Sequence, residues 1–297
     1  MSFHKFIRAV GTGPKSNREL DDIEITNCMN EILNQTAKSE QITAFLLGWR
    51  VRLETNSELK AALACFDKYI KRVDIPNSIE LGYPYDGKAD NPYLFPLFGK
   101  YLKKFNLKII ISGDKLQPAK HGITVKDIAL NYKLDENIHF FDRKEYFKEL
   151  SELSDIRNTL GLRTAFNTLE KLFNPANSKY ALTSAFHKPY VNKYNDIFGS
   201  RYENLLIVKG NEGTPEIFSK CKYWVNTNGV ISEHIIEPEY FGINYKKSWN
   251  KITLEDSLAS IENPSLELEK LVKLNVALLL VTAKKAKDIK SGFEMLD

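Results

Sequence analysis

The chain has 297 residues, of which 43% are hydrophobic and 27% charged; this length and balance provide for one large domain or two modest ones and argue against disorder. Its 42 basic and 38 acidic side chains leave a net charge of +4, which permits a basic face without establishing one. Cys28, Cys65 and Cys221 are far apart, odd in number and without C-x-x-C spacing, which speaks against a zinc knuckle or redox pair and predicts reduced, buried thiols in a cytoplasmic protein. The start, Met1-Ser2-Phe3-His4-Lys5, lacks an apolar signal core, and the apolar run from Leu274 to Val281 is about half of what a bilayer span needs, so neither export nor a membrane segment is expected.

The first part of the chain reads as four short helices. Phe3, Phe6, Ile7 and Val10 share one helical face, and Ile25, Cys28, Met29 and Ile32 form the next stripe behind an Asp21/Glu24 capping pair. Ser39-Glu40-Gln41 opens a third helix with a hydroxyl cap and buries Ile42, Phe45, Leu46 and Trp49. A Thr55/Glu58 capping box precedes Leu59, Ala62, Leu63, Phe66 and Ile70. Such helices pack as a small unit over 1–72, with some of Phe6, Leu46 and Trp49 exposed unless a second copy covers them.

Beyond Arg72 the pattern alternates. Ile79-Glu80-Leu81 predicts a strand, Leu94 to Phe105 a helix, and Lys108-Ile109-Ile110-Ile111-Ser112 a buried strand ended by Gly113. A helix around Val125 to Leu130 and a strand at His139-Phe140-Phe141 follow. Helical spacing from Ile156 to Phe173 stops at Asn174-Pro175. Leu205 to Val208, Trp224 to Asn226 and Glu233 to Ile236 read as later strands, and Leu266 to Ala283 is a helix apolar on nearly all sides. The expected fold is α/β: a small all-helical domain, completed by about 155–175, and a larger domain over 73–297 with a central, largely parallel sheet.

Two segments carry a family resemblance. Lys38 to Leu47 with Glu54 to Leu59 looks like the N-terminal helices of anthranilate phosphoribosyltransferases and pyrimidine nucleoside phosphorylases. Arg157-Asn158-Thr159-Leu160-Gly161-Leu162-Arg163-Thr164-Ala165-Phe166-Asn167, continuing to Leu172-Phe173-Asn174-Pro175, is similar to the R-x-x-L-G-x-R-T-x-F-N…L-x-N-P motif of the same transferases. The resemblance covers nearly the whole chain and implies a helical domain hinged to an α/β domain.

The loops that would hold the donor differ. Active members carry G-T-G-G-D-G, whose backbone N–H groups approach the diphosphate of phosphoribosyl pyrophosphate; here Gly82-Tyr83-Pro84-Tyr85-Asp86-Gly87 stands there, and Pro84 has no N–H. The family's N-x-S-T becomes Pro92-Tyr93-Leu94-Phe95, and K-H-G-N-R becomes Ile111-Ser112-Gly113-Asp114-Lys115. At the D-E pair that serves the magnesium–diphosphate complex stand Pro215 and Glu216. Four sites altered in one direction predict that this donor is not used. No catalytic residue, cofactor or metal site is expected.

A second branch of the family combines the same fold and eroded loops with nucleic-acid binding, and the chain resembles that branch through Tyr85-Asp86-Gly87, the Leu94 to Leu97 helix start, His187-x-x-Tyr190 and Gly210-x-Glu212-Gly213. Arg163-Thr164 and Phe166-Asn167 stay closer to the enzymes. The branch implies a homodimer through the N-terminal helices and binding of DNA, with little sequence preference, by a basic groove. Lys88, Lys115, Arg157 and Arg163 are the candidate phosphate contacts, and Tyr83 and Tyr85 the candidate stacking faces. Each has a plainer reading. Arg157 stands between an anion contact and a salt bridge to Asp155 or Glu170; Arg163 has a structural reading; the tyrosines can fill the vacated phosphate space; a lysine is usually solvated. His121 and His187 lack an acid partner in sequence, and the run Lys284, Lys285, Lys287 and Lys290 reads as a solvated face. The rivals are a glycosyl- or phosphoribosyltransferase with an altered donor or acceptor, and a protein–protein adaptor. A continuous basic cleft would favour nucleic acid; a mixed or acidic one would favour the rivals.

Overall fold

The structure, a computed structural model, describes residues 3–227 and 229–297. Four helices open the chain: α1 His4–Gly11, α2 Asp22–Leu33, α3 Ser39–Arg52 and α4 Asn56–Phe66. Reciprocal capping boxes start α2 (Asp21 with Glu24) and α4 (Thr55 with Glu58), each satisfying two N–H groups that a helix start would leave bare. Ser39 is the first residue of α3 and Lys38 its N-cap, so the hydroxyl does not cap as expected. Phe6, Leu46 and Trp49 are fully buried within this one chain, so they leave no apolar surface for a second copy to cover.

The sheet runs in the order β3-β2-β1-β4-β5-β6-β7. Its strands are β1 Ser78–Gly82, β2 Lys108–Gly113, β3 Ile138–Asp142, β4 Tyr180–Ser184, β5 Asn204–Val208, β6 Cys221–Thr227 and β7 Val230–Ile236. Strands β1 to β5 are mutually parallel, with Leu81 opposite both Ile111 and Leu182, and β6 and β7 are antiparallel additions at one edge.

Short helices connect them: α5 Gly99–Leu102, α6 Val125–Asn131, α7 Arg143–Tyr146, α8 Lys148–Ser151, α9 Ser154–Leu160, α10 Ala165–Leu169, α11 Lys188–Phe198, α12 Leu254–Glu262, α13 Leu266–Thr282 and α14 Ile289–Glu294. The helix expected over Leu94 to Phe105 is α5 between two 3-10 turns, and the one expected over Ile156 to Phe173 is split where Gly161 ends α9 in the left-handed region. Helix α13 lies inside the fold, as its all-round apolar sequence predicts, with Leu271, Leu274 and Leu278 fully buried.

Two cores flank the sheet. One joins the N-terminal helices, α7 to α11 and the Ala181, Leu205 and Ile207 face; the other joins α13 to the Ile79, Ile109, Leu182 and Leu206 face. The helical unit therefore shares its core with one face of the sheet. Cys28, Cys65 and Cys221 are free and buried. Among the described residues no helix is long and apolar enough to cross a membrane.

Candidate functional site

The winding of the sheet reverses between β1 and β4, and an open parallel sheet forms its crevice beyond the carboxyl ends of the strands at such a point. A cavity of about 470 Å³ lies there, lined by Pro84, Tyr85 and Asp86 after β1, Ser184 to His187 after β4, and Glu212 and Gly213 after β5. The helical unit supplies Arg50, Arg163, Thr164 and Lys171. Its charged lining is mixed: Arg50, Lys120, Arg163 and Lys171 against Glu54, Asp86 and Glu212.

Beside the cavity, the place expected to hold a diphosphate is taken by the chain's own carboxylates. Glu216 is fully buried. It accepts from the backbone N–H of Leu94 at 2.7 Å and of Phe95 at 3.2 Å, from the Tyr83 hydroxyl at 2.8 Å and from Lys88 Nζ at 2.6 Å. Bare N–H groups at a turn start are what an anion seeks, and here an internal anion meets them. Glu212 does the same with the N–H groups of Ala89 and Asp90, at 2.6 and 3.0 Å. Tyr83, Tyr93 and Phe95 pack edge to face, and burial, then Glu216, pushes the Tyr83 hydroxyl well above its usual range. Gly87 has a positive φ, and a Cβ there would collide with the Gly122 backbone, so this loop is pinned against 117–123. These residues do not fit a magnesium–diphosphate complex: Pro215 has no carboxylate and that of Glu216 is consumed.

Four of the six candidate contacts are consumed too. Lys88 is fully buried against Glu216, the Pro92 carbonyl and the Phe218 ring. Tyr83 and Tyr85 fill space, Tyr85 lying under the Arg143 guanidinium at 4.4 Å. Arg157 is fully buried on Glu170, with contacts of 2.7 and 2.9 Å. As the sequence had left open, its partner is a salt bridge. Glu170 also takes Arg143, whose Nε donates to Asp114 Oδ2 at 2.5 Å. Lys115 and Arg163 remain accessible, with side chains 65% and 53% exposed; Lys115 lies 3.8 Å from Asp155, and Arg163 pairs with Asp86.

Three residues that sequence reasoning passed over complete the site. Lys171 stands in the stretch of the motif where no residue type is specified, so nothing marked it. Lys120 meets Asp86 at 3.4 Å and the Glu212 carbonyl. Phe186 lines the mouth while 64% exposed, with Lys209 Nζ 5.0 Å from its ring and His187 against its edge; it follows β4, a strand without a β-branched run. Burial pulls the Lys171 amine down to about 7; Asp86 opposes the shift, and Lys120 and Arg163 add to it. Among the described residues no cluster of three His, Cys, Asp or Glu side chains is placed to hold a metal ion.

Comparison with known proteins agrees with this architecture. The chain is 30% identical over 247 residues to an uncharacterized protein of Aquifex aeolicus, covering 81% of this chain and 79% of that one. It is 26% identical over 315 residues to an anthranilate phosphoribosyltransferase of Neisseria meningitidis, covering 93% and 86%. By fold it superposes on an anthranilate phosphoribosyltransferase from Thermus thermophilus (TM-score 0.75, 16% identity, 99% and 92% covered). It does so also on one from Saccharomyces cerevisiae in complex with PRPP and Mg (TM-score 0.77, 14% identity, 99% and 92% covered). Residues 4–68 match the description "Glycosyl transferase family, helical bundle domain" and residues 112–297 match "Glycosyl transferase family, a/b domain". With both halves matched, the chain belongs to this glycosyl transferase family and has an anthranilate phosphoribosyltransferase-like fold.

Proposed function

We propose that this chain is a nucleic-acid-binding member of the family that does not transfer phosphoribosyl groups. The observation that carries the second half is Glu216: a buried carboxylate with Lys88 as its counter-ion occupies the N–H groups a donor's diphosphate would need. What supports the first half is the mouth of the cleft. Arg163 and Lys120 line it, Phe186 presents an exposed ring with Lys209 beside it, and Lys188 follows His187 of the lining; Lys115 of the expected set is exposed beside Asp155. Phosphate contacts position a strand while aromatic faces hold its bases without regard to sequence. The mixed interior of the cavity favours a second reading, a glycosyl or phosphoribosyl transfer with an altered donor or acceptor.

Filter retention of labelled single-stranded oligonucleotides at low salt tests the proposal. Retention is expected, with log affinity falling as log salt rises by about 0.7 for each phosphate neutralised. Lys209→Ala and Lys115→Ala lower that slope by about one such step each, whereas Phe186→Ala weakens retention at nearly constant slope. No phosphoribosyl pyrophosphate is consumed with anthranilate, and magnesium leaves its titration unchanged. Absent retention at low salt sinks the nucleic-acid reading; turnover of the donor restores the transferase.

The same proposal includes a homodimer through the N-terminal helices. With Phe6, Leu46 and Trp49 internal, its support is the exposed pair Leu47 and Val51, one turn apart on α3, with Ile23 on α2. Light scattering is expected to give twice the chain mass of 34.1 kDa at micromolar protein; a monomer refutes this part alone.

A further inference from the structure

Away from the cleft, the sheet ends in an open edge. Strand β7 pairs with β6 on one side, and among the described residues no strand pairs with its other side. The ladder shows which of its backbone groups face outward. The Lys222 carbonyl of β6 accepts from the Lys209 N–H, on the β5 side, at 2.8 Å. Backbone groups alternate in direction along an antiparallel strand, so Lys222, Trp224 and Asn226 turn theirs away from β7. Opposite these three stand Ile235, Glu233 and Ile231. The N–H and C=O groups of those three residues therefore point off the edge, and among the described residues no hydrogen bond reaches them.

Exposed edges usually carry a guard against pairing, such as a lysine, a proline, a bulge or a covering loop. Val230-Ile231-Ser232-Glu233-His234-Ile235-Ile236 holds neither lysine nor proline, and it pairs with β6 residue for residue, without a bulge. Val230 is 71% exposed and Ile235 55%. The one carboxylate on the strand is already engaged: Glu233 has Lys222 at 2.5 Å, Lys188 at 3.9 Å and the Trp224 Nε1–H at 3.0 Å.

The strand also reads alike from either end about Glu233: two aliphatic residues, a polar one, the acid, a polar one, two aliphatic residues. An antiparallel copy in register at Glu233 sets Ile231 against the partner's Ile235, Val230 against the partner's Ile236 and Ser232 against the partner's His234. All three outward-pointing residues then meet outward-pointing residues. Moving the centre to Ser232 or His234 leaves only two such pairs and sets Glu233 against an isoleucine. Like charges directly opposite are destabilising on their own, but the two Glu233 carboxylates arrive with two copies each of Lys188 and Lys222.

We propose that β7 pairs antiparallel with β7 of a second copy of this chain, centred on Glu233, so that two seven-stranded sheets run into one. A groove at the end of the strand supports the same occupant. It holds about 680 Å³ and is lined by Tyr223, Ile235, Ile236, Tyr240, Phe241 and Phe293, with Tyr240 82% exposed. The partner's Val230, set against Ile236, brings the apolar end of its hairpin to that place. This contact is separate from the pair through the N-terminal helices and does not rest on it. Strand β7 spans seven residues, so the contact falls in the class below about 1,200 Å² that marks weak, transient association, and it forms well above the micromolar range in which the N-terminal pair is expected.

Disulfide trapping of the full chain tests this, since a bond at the centre catches a weak contact. Opposite residues of a hydrogen-bonded antiparallel pair lie about 5.5 Å apart at Cα, within the span of a disulfide. Under mild oxidation Glu233→Cys is expected to link to itself at least about tenfold faster than Val230→Cys, whose two copies would stand about 20 Å apart along the strands. The native thiols are buried, and wild type sets the background. Ile235→Pro removes one outward N–H and spares the β6 ladder; added to Glu233→Cys, it is expected to bring the rate down to that of Val230→Cys. Equal rates for Glu233→Cys and Val230→Cys overturn the proposal, as does a rate that Ile235→Pro leaves unchanged. Faster linking of Ser232→Cys or His234→Cys than of Glu233→Cys overturns the register and the pairing with it. Wild type that scatters as a monomer while Glu233→Cys links at the expected rate defeats the N-terminal pair and keeps this contact; a dimeric wild type without the link defeats this contact alone.

Discussion

Glu216→Ala is expected to destabilise the protein by about 3–5 kcal/mol, the range for breaking a buried pair by removing one partner. The loss follows from what the carboxylate satisfies. Without it the Lys88 ammonium, fully buried, keeps the Pro92 carbonyl and the Phe218 and Tyr93 rings but no carboxylate, and the Tyr83 hydroxyl and the Leu94 and Phe95 N–H groups lose their acceptor. An uncompensated buried cation costs more than the ion pair itself contributes, so the remedy is to remove both charges. Glu216→Gln with Lys88→Met retains an acceptor for the N–H groups and is expected to regain most of the loss. Urea unfolding reads both. A change under about 1 kcal/mol for Glu216→Ala would show that water reaches the pair and that the cradle is open.

Legibility in the sequence follows the physics of each element. The buried strand Lys108 to Gly113 and the helix α13 were readable because runs of Ile and Leu have one comfortable place, the core. The capping boxes at Asp21 and Thr55 were readable because the pairing is local. Strand β4 was not, because Tyr180-Ala181-Leu182-Thr183-Ser184 mixes small and hydroxyl residues whose burial is set by neighbouring strands.

At the site, the loss of the donor loops was legible from Pro84, Pro92 and Pro215, since a missing N–H or carboxylate is visible in the residue itself. What replaced the ligand was not legible. Glu216 and Lys88 lie 128 positions apart, and so Lys88 reads in sequence as an ordinary surface lysine. For Tyr83 and Tyr85 the two readings, stacking face or filler, were both on hand, and burial decides for filler. The same long-range pairing hid Glu170 as the acid that takes both Arg143 and Arg157, although it was named as one of two partners for Arg157.

Glu170→Ala is expected to match or exceed Glu216→Ala in cost, because it strands two guanidinium groups rather than one ammonium. Arg143 and Arg157 are both fully buried, and Glu170 Oε2 takes contacts from each. Arg143 would keep Asp114; Arg157 would keep no carboxylate. The network also ties the end of β2, through Asp114, to the α9–α10 segment, through Arg157 and Glu170. Its loss therefore loosens the helical layer on the sheet as well as exposing charge. A loss of at least about 3 kcal/mol at neutral pH is expected, nearly independent of salt because water and ions are excluded from the pair. Arg157→Leu is the informative companion. It should lose stability in the same assay, yet, measured where both proteins are folded, retain oligonucleotides as wild type does with the same salt slope, since no part of Arg157 reaches solvent. A reduced slope for Arg157→Leu would mean that this arginine leaves Glu170 for the ligand, and that the network is a switch rather than a clamp.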